Sequence, residues 1–475
     1  MSLWPRITGG IFVALLLASC TLHQPQTAAP PGPLPEQFAG AIDHGPPLER
    51  WWEQFGDPRL NDLMAEAFDR NLDLEQAYAR LAQFEALAQT VSAAQWPTVD
   101  VQGAAGRVRQ QGLFGAKTDD SYQLSAAAGF ELDLWRKLAS RSKAARLEVL
   151  AARQDLAALY LSLSAQLADL YYLAVEQRSQ LALVDDTIAS FSDTLQRVED
   201  RYREGLVPAL DVYQSRQNLA AAEAARPLVV ARLAAAEHAI AVLVGRVPDR
   251  SVAGRLAELP ALEKAFPVGL PATLLQRRPD IAASLSRIQA ADARVGAAIA
   301  ERFPAFNLVA EYGGASNDLG SLLDSPNIFW NLLVNLAQPV FDGGRRKAEV
   351  ERNRSLFREN LGNYHQKVLQ ALQEVEDALV QEQTSSRRIG LLEKRVVATA
   401  GSLRLSTERY LQGISEYLPV LTAQVDHAEA QSALLEARRQ RVVARISLAR
   451  ALGGNWMESA ISARLQGSGA KGSRP

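Results

Sequence analysis

RYREGLVPALDV at residues 201–212 and RYLQGISEYLPV at residues 409–420 share Arg, Tyr, Gly, Leu and Val, each pair 208 residues apart. The register extends well beyond that stretch. Asp73 and Leu74 precede Asp280 and Ile281 by 207 residues, Pro97 precedes Pro304 by 207, and DLW at 133–135 precedes PVF at 339–341 by 206. Chance similarity between Ala-rich helices gives one such match. Four in order require an internal duplication, roughly residues 60–250 and 268–455. Whatever this chain folds into is one unit written twice.

Each half follows one grammar. A helix of about 25 residues runs up to Trp96-Pro97 in the first half and Phe303-Pro304 in the second, since the residue before Pro disfavours helix. Strand-like segments follow, near 98–109 and 121–134. In the latter, Tyr122, Leu124, Ala126, Ala128, Phe130, Leu132 and Leu134 share one face, and Gln123, Ser125, Glu131 and Asp133 the other. In the second half Phe306, Leu308, Ala310 and Tyr312 alternate with Asn307 and Glu311, and Trp330, Leu332, Val334 and Leu336 with Asn331 and Asn335. Such strands fit a half-buried sheet in a soluble sandwich; at about ten residues each they also fit outer-membrane strands.

A very long helix comes next. No Pro or Gly occurs from Lys137 to Glu204, a helix of about 100 Å at 1.5 Å per residue. Its apolar stripe, Tyr160, Leu163, Leu167, Leu170, Ala174, Leu181, Val184, Ile188, Phe191, Leu195, Val198 and Tyr202, steps by threes and fours. That is coiled-coil spacing. Ile389, Leu392, Val396, Leu403 and Tyr410 repeat the phase in the second half. Gly205 and Pro208 break the first long helix, Gly413 the second, and a helix of about 35 residues returns to Gly245 or Gly453. The repeated motif is thus the turn of a helical hairpin, and helix-turn tyrosines such as Tyr202 and Tyr410 are read as interhelical packing.

Composition narrows the function. With 51 basic and 53 acidic residues, nothing suggests a nucleic-acid surface. None of the five histidines stands three to five residues from another, and there is one cysteine, so a His/Cys metal site is not expected. Cys20 follows Arg6, an apolar run at 11–17 and Leu17-Ala18-Ser19. This is a secretory signal ending in a lipobox-like cleavage site, and the run is too short to span a membrane. An ordinary signal peptide beside an accidental thiol is the plain alternative. A lipobox makes Cys20 the acylated N-terminus, its acyl chains the one covalent group expected and no other cofactor. Thr21, where inner-membrane lipoproteins usually carry Asp, points to the outer membrane.

Four strands cannot cross a bilayer with open edges, because backbone groups in lipid must be paired. Two chains would give eight strands and a side-chain-filled barrel; three would give twelve and a pore, with six helical hairpins around the axis. WW..F.DP.L (from Trp51), QRRPDI (276–281) and QPVFDGGRR (338–346) then identify a resemblance. Over essentially the whole mature chain it resembles TolC-type outer-membrane efflux channels, in the OprM/NodT lipoprotein branch. The resemblance implies a mainly α fold with membrane β: long coiled-coil hairpins and four strands per chain, in a homotrimer whose 12-stranded barrel continues into a periplasmic α-barrel. It implies an exit duct for drugs or other small molecules, served by a periplasmic adaptor and an inner-membrane transporter of the RND class, in contact with outer-membrane lipid. It also implies a gate at the hairpin turns. Tyr410, Gly413, Tyr417, Leu418 and Leu421 match the branch's turn, but Thr422 occupies its acid position. Leu418 would then supply an apolar constriction, with Asp211 and Glu416 the acids nearby and Asp426 a little further on; plain solvated helix-end charges are the alternative for these acids.

The expected division is a lipoprotein signal peptide (1–19), a lipidated N-terminus with a Pro-rich tether (20–59), the first repeat (60–250), a linker (251–267), the second repeat (268–455) and a C-terminal tail disordered at its end (456–475). No phosphate loop, nucleophile elbow, HExxH or paired-Cys spacing occurs, so no enzyme is expected. Glu131 and Asp133 share a strand face, but a lumen-facing or interfacial place suits them better than a catalytic pair. The competing functions are a pore-free periplasmic lipoprotein scaffold and the adaptor itself, which has a single hairpin.

Overall fold

The computed structural model describes residues 23–39, 49–112, 115–249, 254, 258–260, 262, 266–268 and 271–471. Cys20 and the signal peptide lie outside these residues, as does most of the 251–267 linker. The helices are α1 (Pro58–Arg70), α2 (Leu72–Ala93), α3 (Lys137–Arg203), α4 (Ala209–Leu243), α5 (Pro271–Arg277), α6 (Pro279–Ala300), α7 (Arg345–Leu411), α8 (Leu418–Leu452) and α9 (Trp456–Lys471). The strands are β1 (Thr98–Gly112), β2 (Gly115–Leu132), β3 (Ala305–Ser316) and β4 (Ile328–Ala337). Helices α2 and α6 each have 22 residues, α3 and α7 each 67, and α4 and α8 each 35. The duplication is therefore kept element by element.

The chain divides into two compact units. One combines 80–153 and 283–366 with residues 23–29. Its sheet is an antiparallel meander in the order β1-β2-β3-β4, so β2 and β3 join the two repeats and, among the described residues, β1 and β4 are unpaired edges. The register stacks Val101, Ala126, Tyr312 and Trp330 in one row across the sheet, and Val99, Ala128, Ala310 and Leu332 in the next. Trp330 is 75% exposed on that apolar face. The opposite face carries Asp100, Gln102, Gln123, Glu311 and Asn331, with Asn331 Nδ2 donating to Glu311 at 3.0 Å.

β2 begins at Gly115, six residues before the expected start, because the hairpin stays paired out to Gly112 and Gly115. At its other end β2 stops at Leu132, and Asp133 belongs to the helix. Its carboxylate accepts from the amides of Leu138 (3.0 Å) and Ala139 (2.7 Å) at the start of α3, while Glu131 pairs with Lys137. Asp133 is thus a cap at the strand–helix junction, since the first-turn N–H groups of a helix need acceptors. Asp342 does the same for α7, accepting from the amides of Gly344 and Arg346. Residues 23–29 form no helix or strand and are docked: His23 Nε2 meets Asp292 at 2.8 Å, and the Ala29 carbonyl meets His365 Nε2 at 3.1 Å.

The other unit combines 30–79, 154–282 and 367–475. Its core explains the WW..F.DP.L motif. Trp51, Trp52 and Phe55 are buried, and Asp57 caps α1 through the amides of Arg59 and Leu60, with Pro58 opening the helix. Trp52 packs edge-on against Trp456 at 4.8 Å, and Phe68 lies 5.3 Å from both Trp456 and Tyr160. The residues expected to be a tail thus open with helix α9, which seals this aromatic core; 472–475 lie outside the described residues. QRRPDI is likewise a packing device. Arg278 is buried and forks onto Asp280 (3.0 and 2.8 Å), reaching Glu374 at 2.6 Å and the Ala451 carbonyl at 3.3 Å.

Candidate functional site

Both hairpin turns are built by the same bonds. In the first, the Gly205 amide donates to the Tyr202 carbonyl (2.9 Å) and the Leu206 amide to the Arg201 carbonyl (2.9 Å). In the second, the Gly413 amide donates to Tyr410 (3.0 Å) and the Ile414 amide to Arg409 (2.9 Å). This is the Schellman closure of a helix, which needs a left-handed residue; Gly205 and Gly413 supply it at φ 74° and 73°. Pro208 then caps α4 in extended backbone, its carbonyl accepting from the Asp211 amide at 3.1 Å. The next helix of the second repeat starts at Leu418, after Tyr417.

The turns of the two repeats pack on each other. Val198 of α3, Val212 of α4, Tyr410 of α7, Tyr417, and Val420 of α8 form one buried cluster, flanked by Leu195, Val207 and Leu421. The Tyr410 and Tyr417 rings lie 5.6 Å apart. Arg201 stacks its guanidinium 4.9 Å over the Tyr410 ring and donates to the Leu411 carbonyl at 3.2 Å. Tyr417 hydrogen-bonds Ser215, which is buried. Burial pushes both phenols above their usual range, so neither ionises near neutral pH.

Of the residues named from sequence, Asp211 and Glu416 come together. Burial raises the Asp211 carboxyl, and the charge of Glu416 raises it further. Leu418 is 56% exposed at the first position of α8. Thr422 lies one turn on, exposed, its hydroxyl donating back to the Leu418 carbonyl at 3.1 Å. These two share an outward face, whereas Asp211 sits at the junction of the repeats. Tyr410 is packed between helices as expected, but Tyr202 is 48% exposed. Sequence reasoning missed Arg201, Val198 and Ser215 as parts of this site. The recurrence of Arg201 at Arg409 was the available signal.

The outer membrane efflux protein family matches residues 63–246 and 270–454, one block per repeat. The solvent efflux pump outer membrane protein SrpC of Pseudomonas putida is 29% identical over 94% of this chain and 98% of its own length. The probable outer membrane lipoprotein SilC of Salmonella typhimurium is 27% identical over 94% of this chain and 98% of its own. Among solved structures, the outer-membrane channel OprN is 28% identical and superposes with a TM-score of 0.88, covering 92% of this chain and all of that one.

Proposed function

Because the chain belongs to the outer membrane efflux protein family, we propose that it is the outer-membrane exit duct of a tripartite efflux pump, passively passing drugs or other small molecules out of the cell. The observation that carries this is the sheet, with one apolar face, one polar face and, among the described residues, two unpaired edges. In lipid an open edge leaves backbone groups without partners. Edge β4 of one copy therefore pairs with β1 of the next, and three copies of this four-stranded sheet close a barrel of twelve strands. Two copies would close only eight, a barrel filled by its own side chains. A pore-free scaffold has no use for such a sheet.

The partners are a periplasmic adaptor and an inner-membrane transporter of the proton-driven RND class, the class that the OprM/NodT resemblance implies. The transporter does the work and selects the cargo; the duct carries out no chemistry. Cys20 carries the lipid anchor, supported by the lipobox pattern and by SilC's description as a lipoprotein. The gate lies at the hairpin turns: Leu418 and Thr422 line the constriction, and Asp211 and Glu416 set how tightly the repeats hold there. The protein purified with its lipid and added to a planar bilayer should insert and conduct, poorly at rest. Insertion without conductance, or none at all, would leave the scaffold as the better account.

A further inference from the structure

At the turns, only one flank of each repeat is used within a single chain. The first repeat presents Val198, Arg201, Val212 and Ser215, and the second answers with Tyr410, Tyr417 and Val420. Moved by the 208-residue register, Arg201 becomes Arg409 and Tyr410 becomes Tyr202. Those two residues lie on the idle flanks. Tyr202 is 48% exposed where Tyr410 is 4% exposed, and Arg409 is exposed. Because both turns close through the same backbone bonds, Tyr202 and Arg409 hold the same helical positions relative to their turns as Tyr410 and Arg201 do.

We propose that Arg409 of one copy stacks over the Tyr202 ring of the next, repeating between copies the contact that Arg201 and Tyr410 make within one. The proposal rests on the duct reading, in which hairpins of the two repeats alternate around a closed ring. Every junction in such a ring brings a first-repeat flank against a second-repeat flank, and a heterologous contact of this kind closes on itself. Half of the junctions lie inside a chain and are described above; the other half lie between copies and need the idle flanks. A guanidinium facing an aromatic ring is complementary in charge as well as shape.

The seam between copies is also the lighter one. The counterpart of Val198 is Ser406, and that of Tyr417 is Ala209. The apolar plug of the internal seam is thus reduced there, and the Arg409–Tyr202 contact carries a larger share of the hold. The duct should loosen first between copies.

Tyr202→Cys and Arg409→Cys, singly and together in the full-length protein, test the placement, with the parent carrying Cys20 alone as control. A short bifunctional thiol reagent is used on membranes, because the reach of an arginine holds the backbones beyond disulfide distance. Only the double variant should give covalent dimers and trimers. In bilayers, Tyr202→Ala and Arg409→Ala should each raise the resting open-to-closed ratio about two- to fivefold, with little further rise when combined, while Tyr202→Phe should match the parent. A protein that is trimeric by mass, yet whose double variant cross-links no better than the singles, would overturn the contact and spare the duct. A protein that forms no trimer would overturn both.

Discussion

Leu418 and Asp211 have different parts in the proposed gate. Leu418 is an exposed apolar side chain at the start of α8, and a ring of such side chains resists wetting. Leu418→Ala should give a several-fold rise in resting single-channel conductance; an unchanged value would move the constriction elsewhere. Asp211 sits beside Glu416 with its carboxyl raised by burial and by that neighbour's charge. A carboxyl raised in the folded state gives stability as pH falls through its folded value, and the gain stops below the ordinary carboxylate range. Mild acid should therefore tighten the turns and lower resting conductance. Asp211→Asn should hold the low conductance at neutral pH and flatten its pH dependence in recordings between neutral and weakly acidic buffer. A variant that titrates like the parent would show that another group is responsible.

At the scale of elements, Arg278 ties the start of α6 to α7 and to the end of α8, through Asp280, Glu374 and the Ala451 carbonyl. Burial alone would raise Asp280, yet the guanidinium holds its carboxyl below the usual range. Arg278→Ala removes the shared donor of two carboxylates and the Ala451 carbonyl; because Asp280 and Glu374 each keep about a third of their surface in water, the cost should be about 1–2 kcal/mol, below that of a fully buried pair. The loss would be read from denaturant unfolding of the detergent-solubilised protein. The stability from Asp280 is present above the ordinary carboxylate value and fades as pH falls through the lowered folded one. The variant's deficit should accordingly shrink in strong acid, and a deficit independent of pH would point to lost packing instead.

The long elements were legible because their signals are dense. The Pro- and Gly-free run from Lys137 fixed α3 almost to the residue, and Gly205 and Gly413 marked both turns. The tip of the β1–β2 hairpin, 110–112 and 115–120, was not legible, because Lys117, Asp119 and Asp120 break the alternation while the backbone stays paired. Helix α9 was missed because its short polar sequence owes its place to Trp456 entering an aromatic core assembled from distant segments. The capping role of Asp133 was not legible, since strand alternation continues through it whereas the need of α3 for acceptors decides its bonds. At the hairpin ends, spacing found the turns, but pairing of Val198 and Arg201 with Tyr410 depends on how two repeats meet.

On the scale of the whole molecule, one chain is incomplete. Among the described residues its sheet has two open edges and an apolar face, and its turns leave Tyr202 and Arg409 exposed. Both deficits are met by copies of the same chain, and a twelve-strand closure fixes their number at three. Native mass spectrometry of the full-length protein, released from mild detergent, measures that number directly. The account predicts a particle of three chains with no stable monomer. A dominant monomer or dimer would contradict it, since neither can pair the sheet edges around a pore.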